Sequence, residues 1–386
     1  MAKKTLCVGF VAFFTFFIIH SDVFAWERHE QEYRNEFYIE SGSVLVMNAD
    51  TGQVLYETGG YQGRYPASVT KVMTALLVLE NVYDLDEMVV FSFNAVNLPY
   101  YAATFRMEAG ESLSVRNALY GLMLTSGNDL ARGLAEHVSG SVESFVEKMN
   151  NRAWELGAVN TRFVNPCGLP GAGQFVTAFD IAVIMREAVR HPVFLEIIST
   201  DYMYMPPTGF APGGRNIRNT HRMVRLGEPE FDGRVVGGKT GFTNAAQHTL
   251  VTYAVYDDFR LIVSVLFSPN RTTFTETGHL LDFGFELLHE RRLEEERREQ
   301  ERQEAVRLEL DRLERERLIA IERAFLGPPL EIVNADIDPA NKYKERRQRY
   351  ISDAEAAVVA SSSLGVVLVC LGFIKLIYGK KSRHSR

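Results

Sequence analysis

Three cysteines are all that the 386 residues contain, and two of them, Cys7 and Cys370, lie inside apolar runs at either end of the chain. Only Cys167 stands in the body, so no intramolecular disulfide can form there, and the fold must rest on its hydrophobic core. Paired cysteines and an H-E-x-x-H pattern are both missing, and the nine histidines are scattered. That leaves no metal site to assign. A positive excess is missing too: 42 Lys and Arg against 49 Asp and Glu give a net charge of -7, without the basic footprint a nucleic acid partner requires. What remains is the composition of a globular protein, 46% hydrophobic and 24% charged, with length enough for a sizeable core and room for a second domain.

Both ends differ from the middle. Residues 1–25 place two lysines before an apolar run and end in Val23-Phe24-Ala25, the layout of a cleavable signal peptide. Residues 356–378 form a second apolar run, and about 20 such residues span a bilayer as a helix. Lys375 near its end can extend its amine to the interface, and the basic tail 379–386 marks the cytoplasmic side. The expectation is a single-pass protein of the cell membrane with its body extracytoplasmic.

The folded body is expected over 37–288. Ser43 to Glu57 reads as a hairpin, two Val/Leu-rich runs around the turn cluster Asn48-Ala49-Asp50-Thr51-Gly52. The middle third carries apolar residues at helical spacing, and Thr177 is placed to cap the helix that follows it. Late in the body the period returns to two: H-T-L-V-T-Y-A-V and R-L-I-V-S-V-L-F flank Asp257-Asp258. This second hairpin is expected beside a strand ending in Lys239. Two hairpins enclosing a helical insert predict an α/β fold, an antiparallel sheet flanked by helices.

From His289 the composition turns to Glu and Arg in short blocks. Segment 289–326 is expected as a charged helix on the order of 50 Å long, with pairs such as Glu294–Arg298 and Asp311–Arg315. Leu310, Leu313 and Ile321 make a thin apolar stripe that Arg317 interrupts. A solvated stalk is the favoured reading, and a coiled-coil homodimer through 289–326 the sharper one. Gly327-Pro328-Pro329 would end the helix, and 327–353 would be a linker.

The chemistry concentrates in P-A-S-V-T-K-V-M, Pro66 to Met73. A serine and a lysine three apart share one helix face. A helix N-terminus favours negative charge developing on the serine oxygen. A desolvated lysine with a lowered pKa can take the hydroxyl proton and make a nucleophile of Ser68. Ser68 is the only serine with lysine three positions on, and Val72, Met73, Leu76 and Leu77 make an idle surface lysine the poorer explanation. Ser126-Gly127-Asn128 lies between two amphipathic segments. Ser92-Phe93-Asn94 and Ser268-Pro269-Asn270 share its S-x-N spacing but fall at expected strand ends, where Asn is a turn residue. Lys239-Thr240-Gly241 occurs once, and Gly237, Gly238 and Gly241 suggest a strand closely approached by another backbone or a ligand.

In this order, S-x-x-K, S-x-N and K-T-G resemble the set shared by penicillin-binding proteins and class A β-lactamases. The chain resembles the low-molecular-weight penicillin-binding proteins, the serine D-alanyl-D-alanine carboxypeptidases. P-A-S-V-T-K-V-M-T-A-L-L, L-M-L-T-S-G-N-D, M-N-N-R-A-W-E-L-G-A-V-N-T-R-F-V-N-P-C-G-L and K-T-G-F-T-N-A-A carry the likeness, which runs from Phe37 to Glu290. The resemblance implies the penicillin-binding/β-lactamase-like transpeptidase fold and peptidoglycan stem peptides as substrates, with roles in the cell wall and cell shape. It implies β-lactams as inhibitors, and no cofactor or metal. Ser68 would attack the carbonyl between two D-alanines, Lys71 would be the base, and Ser126 would pass a proton to the leaving amine. Asn128 would hold the substrate backbone, Lys239 and Thr240 would lie by the terminal carboxylate, and Gly241 and Phe242 would also bind substrate. The amides of Ser68 and Phe242 would form the oxyanion hole.

Three departures from the family stand out. Cys167 takes a place where it usually has histidine, and Thr273 replaces an arginine beside Phe274, with Arg271 the available substitute. The charged helix and apolar run replace a small β-rich domain and a terminal amphipathic helix. The absence of an E-x-x-L-N string, the context for a glutamate-held deacylating water, sets the chain apart from β-lactamases. A DD-endopeptidase acting on cross-linked peptide and a catalytically quiet wall-binding scaffold are the alternatives.

Overall fold

The computed structural model describes residues 39–326, together with 348 and 349. The expected signal peptide at 1–25, linker at 327–353, membrane span at 356–378 and tail at 379–386 lie outside the described residues, apart from 348 and 349. Among the described residues no helix is long and apolar enough to cross a membrane.

Strands β1 (Ser43–Asn48) and β2 (Val54–Thr58) form the first hairpin. Its turn is held by Asn48, whose side-chain oxygen accepts from the amides of Asp50 and Thr51 at 2.9 and 3.1 Å. A 3₁₀ turn, Ala67–Thr70, leads into α1 (Lys71–Asn81). The helical insert continues through β3 (Met88–Val90), α2 (Phe93–Val96), β4 (Ser112–Ser114), α3 (Val115–Leu124), α4 (Asn128–Ser139) and α5 (Val142–Glu155). After it come α6 (Ala178–Ala188), α7 (Pro192–Ser199), and the short strands β5 (Tyr202–Met205) and β6 (Arg215–Arg218). Thr177 does cap α6, its hydroxyl accepting from the Asp180 amide.

The last strands are β7 (Val235–Thr243), β8 (Gln247–Tyr256) and β9 (Phe259–Ser268). With the first hairpin they make one antiparallel sheet in the order β2-β1-β9-β8-β7. Its two faces follow the period of two. Leu45 and Met47 of β1, Val251 and Tyr253 of β8, and Ile262 of β9 pack with the helical insert. Val44, Val46, Leu250, Ala254, Leu261 and Val263 pack on the opposite face with Leu280, Leu281, Leu287 and Leu288. A one-residue slip would exchange the two sets.

Four expectations need correction. β7 does not stop at Lys239 but continues to Thr243, pairing along its length with β8. The helix expected from 289 begins at Thr273 and runs unbroken to Leu326, as α8. The change of composition at His289 marks the end of burial, not the start of a helix. Asn94 lies within α2, which Ser92 caps, and not in a turn. Within 292–326, Glu294 pairs with Arg297 and Arg298, both at 2.7 Å, and Arg312 with Glu309 and Glu316 at 2.6 and 2.9 Å. The expected Asp311–Arg315 pair does not form among the described residues.

Candidate active site

The 3₁₀ turn places Ser68 partly buried and Lys71 fully buried one turn on. The turn is entered through Ala67, at φ +49, in the left-handed region that costs a residue with a side chain. Two tight approaches hold it. A Cβ on Gly168, itself at φ +86, would lie 1.7 Å from the Ala67 carbonyl oxygen, and one on Gly241 would lie 2.7 Å from the Ser68 nitrogen. Only glycine fits at either place. The close approach read into K-T-G is therefore met by backbone: Ser68 against Gly241, Ile198 against Gly237, and Val251 against Gly238.

Lys71 Nζ donates to Ser68 Oγ at 2.9 Å, to Asn128 Oδ1 at 2.6 Å and to the Cys167 carbonyl at 2.8 Å. Three acceptors satisfy an ammonium; a neutral amine would donate to two and could accept from the serine hydroxyl. Burial pushes this lysine down from its ordinary 10.5 to about 8, against the opposing pull of Cys167 and Asp129. Keeping the ammonium out of water costs about 3 kcal/mol while both folded and unfolded chains are protonated. Between pH 8 and 10.5 the unfolded chain binds more protons, so this penalty fades as pH rises through that window. At pH 7 roughly a tenth of the side chain is already neutral.

Ser126 sits at φ +68 in the loop between α3 and α4, and its buried hydroxyl has no hydrogen-bond partner among the described residues. Asn128 opens α4. Lys239 is fully buried in β7, its Nζ donating to the adjacent Thr240 carbonyl at 2.8 Å. Burial first, and then the charge of Lys71, lower its pKa well below the ordinary value. Thr240 Oγ1 meets Thr220 Oγ1 at 2.8 Å. Phe242 exposes its ring, which lies 4.5 Å from the His248 ring.

Ser68, Ser126, Asn128, Thr240, Gly241 and Phe242 all line one cleft of ≈ 960 Å³, while Lys71 and Lys239 lie beneath its surface. The structure thus brings all eight sequence-predicted positions to one place. No aspartate or glutamate lines the cleft, but two arginines do. Arg222 is ion-paired with Glu230 at 2.8 Å and stacked 4.9 Å from the Phe274 ring centroid. Arg271 makes no ion pair among the described residues; its Nε donates to His248 Nε2 at 3.2 Å. Burial and that neighbouring guanidinium hold the His248 pKa below its usual value, keeping the ring neutral and able to accept.

Sequence reasoning missed several parts. Cys167 contributes its backbone carbonyl, which any residue type could supply. His221, fully buried, bonds Thr252 Oγ1 at 2.8 Å, and burial followed by the charge of Lys239 pushes it down to about 3. Asp129 and Arg222 were also overlooked. Cys167 stood out in the sequence only as a departure from the family, and its carbonyl's role, like the places of His221, Asp129 and Arg222, comes from tertiary position.

The chain matches the peptidase family S11, D-alanyl-D-alanine carboxypeptidase, over residues 29–270. It is 32% identical over 267 residues to D-alanyl-D-alanine carboxypeptidase DacF of Bacillus subtilis, an alignment covering 68% of this chain but 66% of that protein. It is 34% identical over 249 residues to D-alanyl-D-alanine carboxypeptidase DacB2 of Mycobacterium tuberculosis, covering 63% of this chain and 81% of that one. Thus it spans just under two thirds of the Bacillus relative. The crystal structure of the Streptomyces K15 DD-transpeptidase superposes with a TM-score of 0.60 at 27% identity, over 64% of this chain and 98% of that one. Fold and sequence agree, and the chain belongs to the D-alanyl-D-alanine carboxypeptidase family S11.

Proposed function

We propose that this serine peptidase removes the terminal D-alanine from peptidoglycan stem peptides through an acyl-enzyme on Ser68, and that β-lactams acylate the same residue. The observation that carries the reading is the fully buried Lys71 amine at 2.9 Å from Ser68 Oγ. In its neutral form Lys71 takes the hydroxyl proton as Oγ attacks the carbonyl between the two D-alanines. The amides of Ser68 and Phe242 receive the oxyanion. As the C–N bond breaks, Ser126 passes a proton to the amine of departing D-alanine, and water then hydrolyses the ester. Asn128 holds both Lys71 and the peptide backbone, while Lys239, Thr240 and Gly241 border the terminal carboxylate.

The test is D-alanine release from a peptide ending in D-Ala-D-Ala by the full-length protein in detergent. Release blocked by prior penicillin labelling supports the reading. Labelling without release would point to cross-linked peptide as substrate, and neither would leave a wall-binding scaffold. If neutral Lys71 is the base, penicillin acylation followed by fluorescence should rise about tenfold per pH unit below 8 and level off above it. A flat profile from pH 6 to 9 would remove that role.

Thr273 stands where the family's carboxylate-binding arginine usually lies, and Arg271 is the cleft's guanidinium without a carboxylate partner among the described residues. Arg271→Ala is expected to raise KM for the acid-terminated peptide roughly tenfold or more, with a smaller change for the C-terminal amide. Equal losses on both substrates would exclude it from carboxylate recognition.

For the rest of the chain we propose secretion by 1–25, a catalytic domain at 37–288, a solvated stalk at 289–326 and a linker at 327–353. A single span at 356–378 would leave the tail 379–386 cytoplasmic. The apolar runs and the lysines beside them support this membrane-tethered arrangement. The exposed ion pairs of 292–326 support a solvated stalk. A homodimer through 289–326 is the competing arrangement.

A further inference from the structure

One wall of the cleft is a strap without regular secondary structure. Tyr101, Ala102 and Ala103 line the cleft, and the Ala103 carbonyl accepts from the Asn128 amide at 2.9 Å. What fixes the strap is Asp129. Its Oδ1 accepts from the Phe105 amide at 2.8 Å and from the Leu130 amide at 3.0 Å, and its Oδ2 from the Met107 amide at 3.0 Å. The carboxylate is only 1% exposed, and three N–H donors offset its loss of water. On the far side of the strap the Arg215 guanidinium lies 5.1 Å from the Phe105 ring centroid and pairs with Glu111 at 2.8 Å.

We propose that Asp129 is a positioning residue that joins strap and base: its buried carboxylate ties residues 103–107 to the Ser126-Gly127-Asn128 loop and stands next in sequence to Asn128, whose side-chain oxygen accepts from Lys71. The inference rests on the reading of Lys71 as the base. Asp129 follows the residue whose amide oxygen accepts from Lys71, so hydrogen bonds run from the strap through Asn128 to the lysine. Its charge acts on the lysine in the opposite sense to burial. The other neighbours acting on the lysine are Lys239, which opposes the ammonium, and Cys167, which favours it. Both stay in place when Asp129 alone is changed.

A purely structural carboxylate and a tuning one separate by pH profile. Asp129→Asn removes the charge and sets an NH₂ group among N–H donors. Its penicillin acylation should have a lower plateau, because the cleft wall loosens. Its midpoint should move down by on the order of one pH unit, because the ammonium loses its counter-charge. Asp129→Glu should restore the midpoint even where its plateau stays low. An unchanged midpoint in Asp129→Asn overturns the proposal. Should that variant fail to fold, carboxyl ¹³C shifts of aspartate-labelled, unmutated full-length protein decide. The Asp129 signal should inflect at the midpoint of acylation, and a signal flat through that pH range overturns the proposal. A Lys71→Ala protein that acylates with the unmutated profile would instead refute the base assignment beneath it.

Discussion

Lys71→Ala is expected to lower penicillin acylation by roughly 10³-fold, within the range for losing a general base, while leaving the protein folded. The structure sets two opposing effects on stability. Removing the side chain leaves Asn128 Oδ1 and the Cys167 carbonyl without their donor, a loss of about 1–3 kcal/mol for buried acceptors. It also removes an ammonium whose burial costs about 3 kcal/mol below pH 8. The space left by the fully buried stem adds a further loss, so the thermal midpoint should fall by several degrees while the protein stays folded. Lys71→Arg separates charge from proton transfer, since a guanidinium keeps its proton at any working pH. Both variants should be inactive by labelling kinetics with thermal unfolding run alongside. Acylation by Lys71→Ala within tenfold of the unmutated rate would leave Ser68 without this base.

The Ser68–Lys71 contact was legible because three residues of helix fix it locally. The two other partners of Lys71 were not, because Asn128 and Cys167 lie 57 and 96 residues away in sequence and reach the amine only through packing. Strands show the same division. Val44, Leu45, Val46 and Met47 are apolar on both faces, so alternation could not say which pair meets α8; the position of β1 inside the sheet decides that. The α8 start at Thr273 was hidden because its first turns are buried and read like the core, whereas charge becomes visible only past His289. Asp129 was hidden for another reason. An aspartate in the first turn of a helix has a sufficient local explanation in the helix dipole, and nothing nearby announces that its oxygens bind amides more than 20 residues upstream.

Gly241→Ala is expected to cost a further large factor, roughly 10²- to 10³-fold in acylation, through geometry alone. The added Cβ would lie 2.4 Å from Thr249 Oγ1, 2.7 Å from the Ser68 nitrogen and 3.0 Å from Ala67 Cβ. None of these can yield cheaply. The Thr249 hydroxyl is held by the Pro66 carbonyl at 3.0 Å, and the Ser68 nitrogen is backbone in a turn that Ala67 already enters at positive φ. Strand β7 must therefore move away from Ser68 and carry the Phe242 amide with it. Oxyanion donors act only within about 2.7–3.1 Å of the oxygen, and losing one costs the factor given above. Gly238→Ala provides the contrast, because its Cβ would fall 1.9 Å from the Val251 carbonyl, inside the sheet. That clash should appear as lost folded protein, while Gly241→Ala, whose strain is relieved by moving β7 away from Ser68, should still fold at a lowered unfolding temperature yet label slowly. Normal labelling by a folded Gly241→Ala protein would mean that the Phe242 amide takes no part in stabilising the oxyanion.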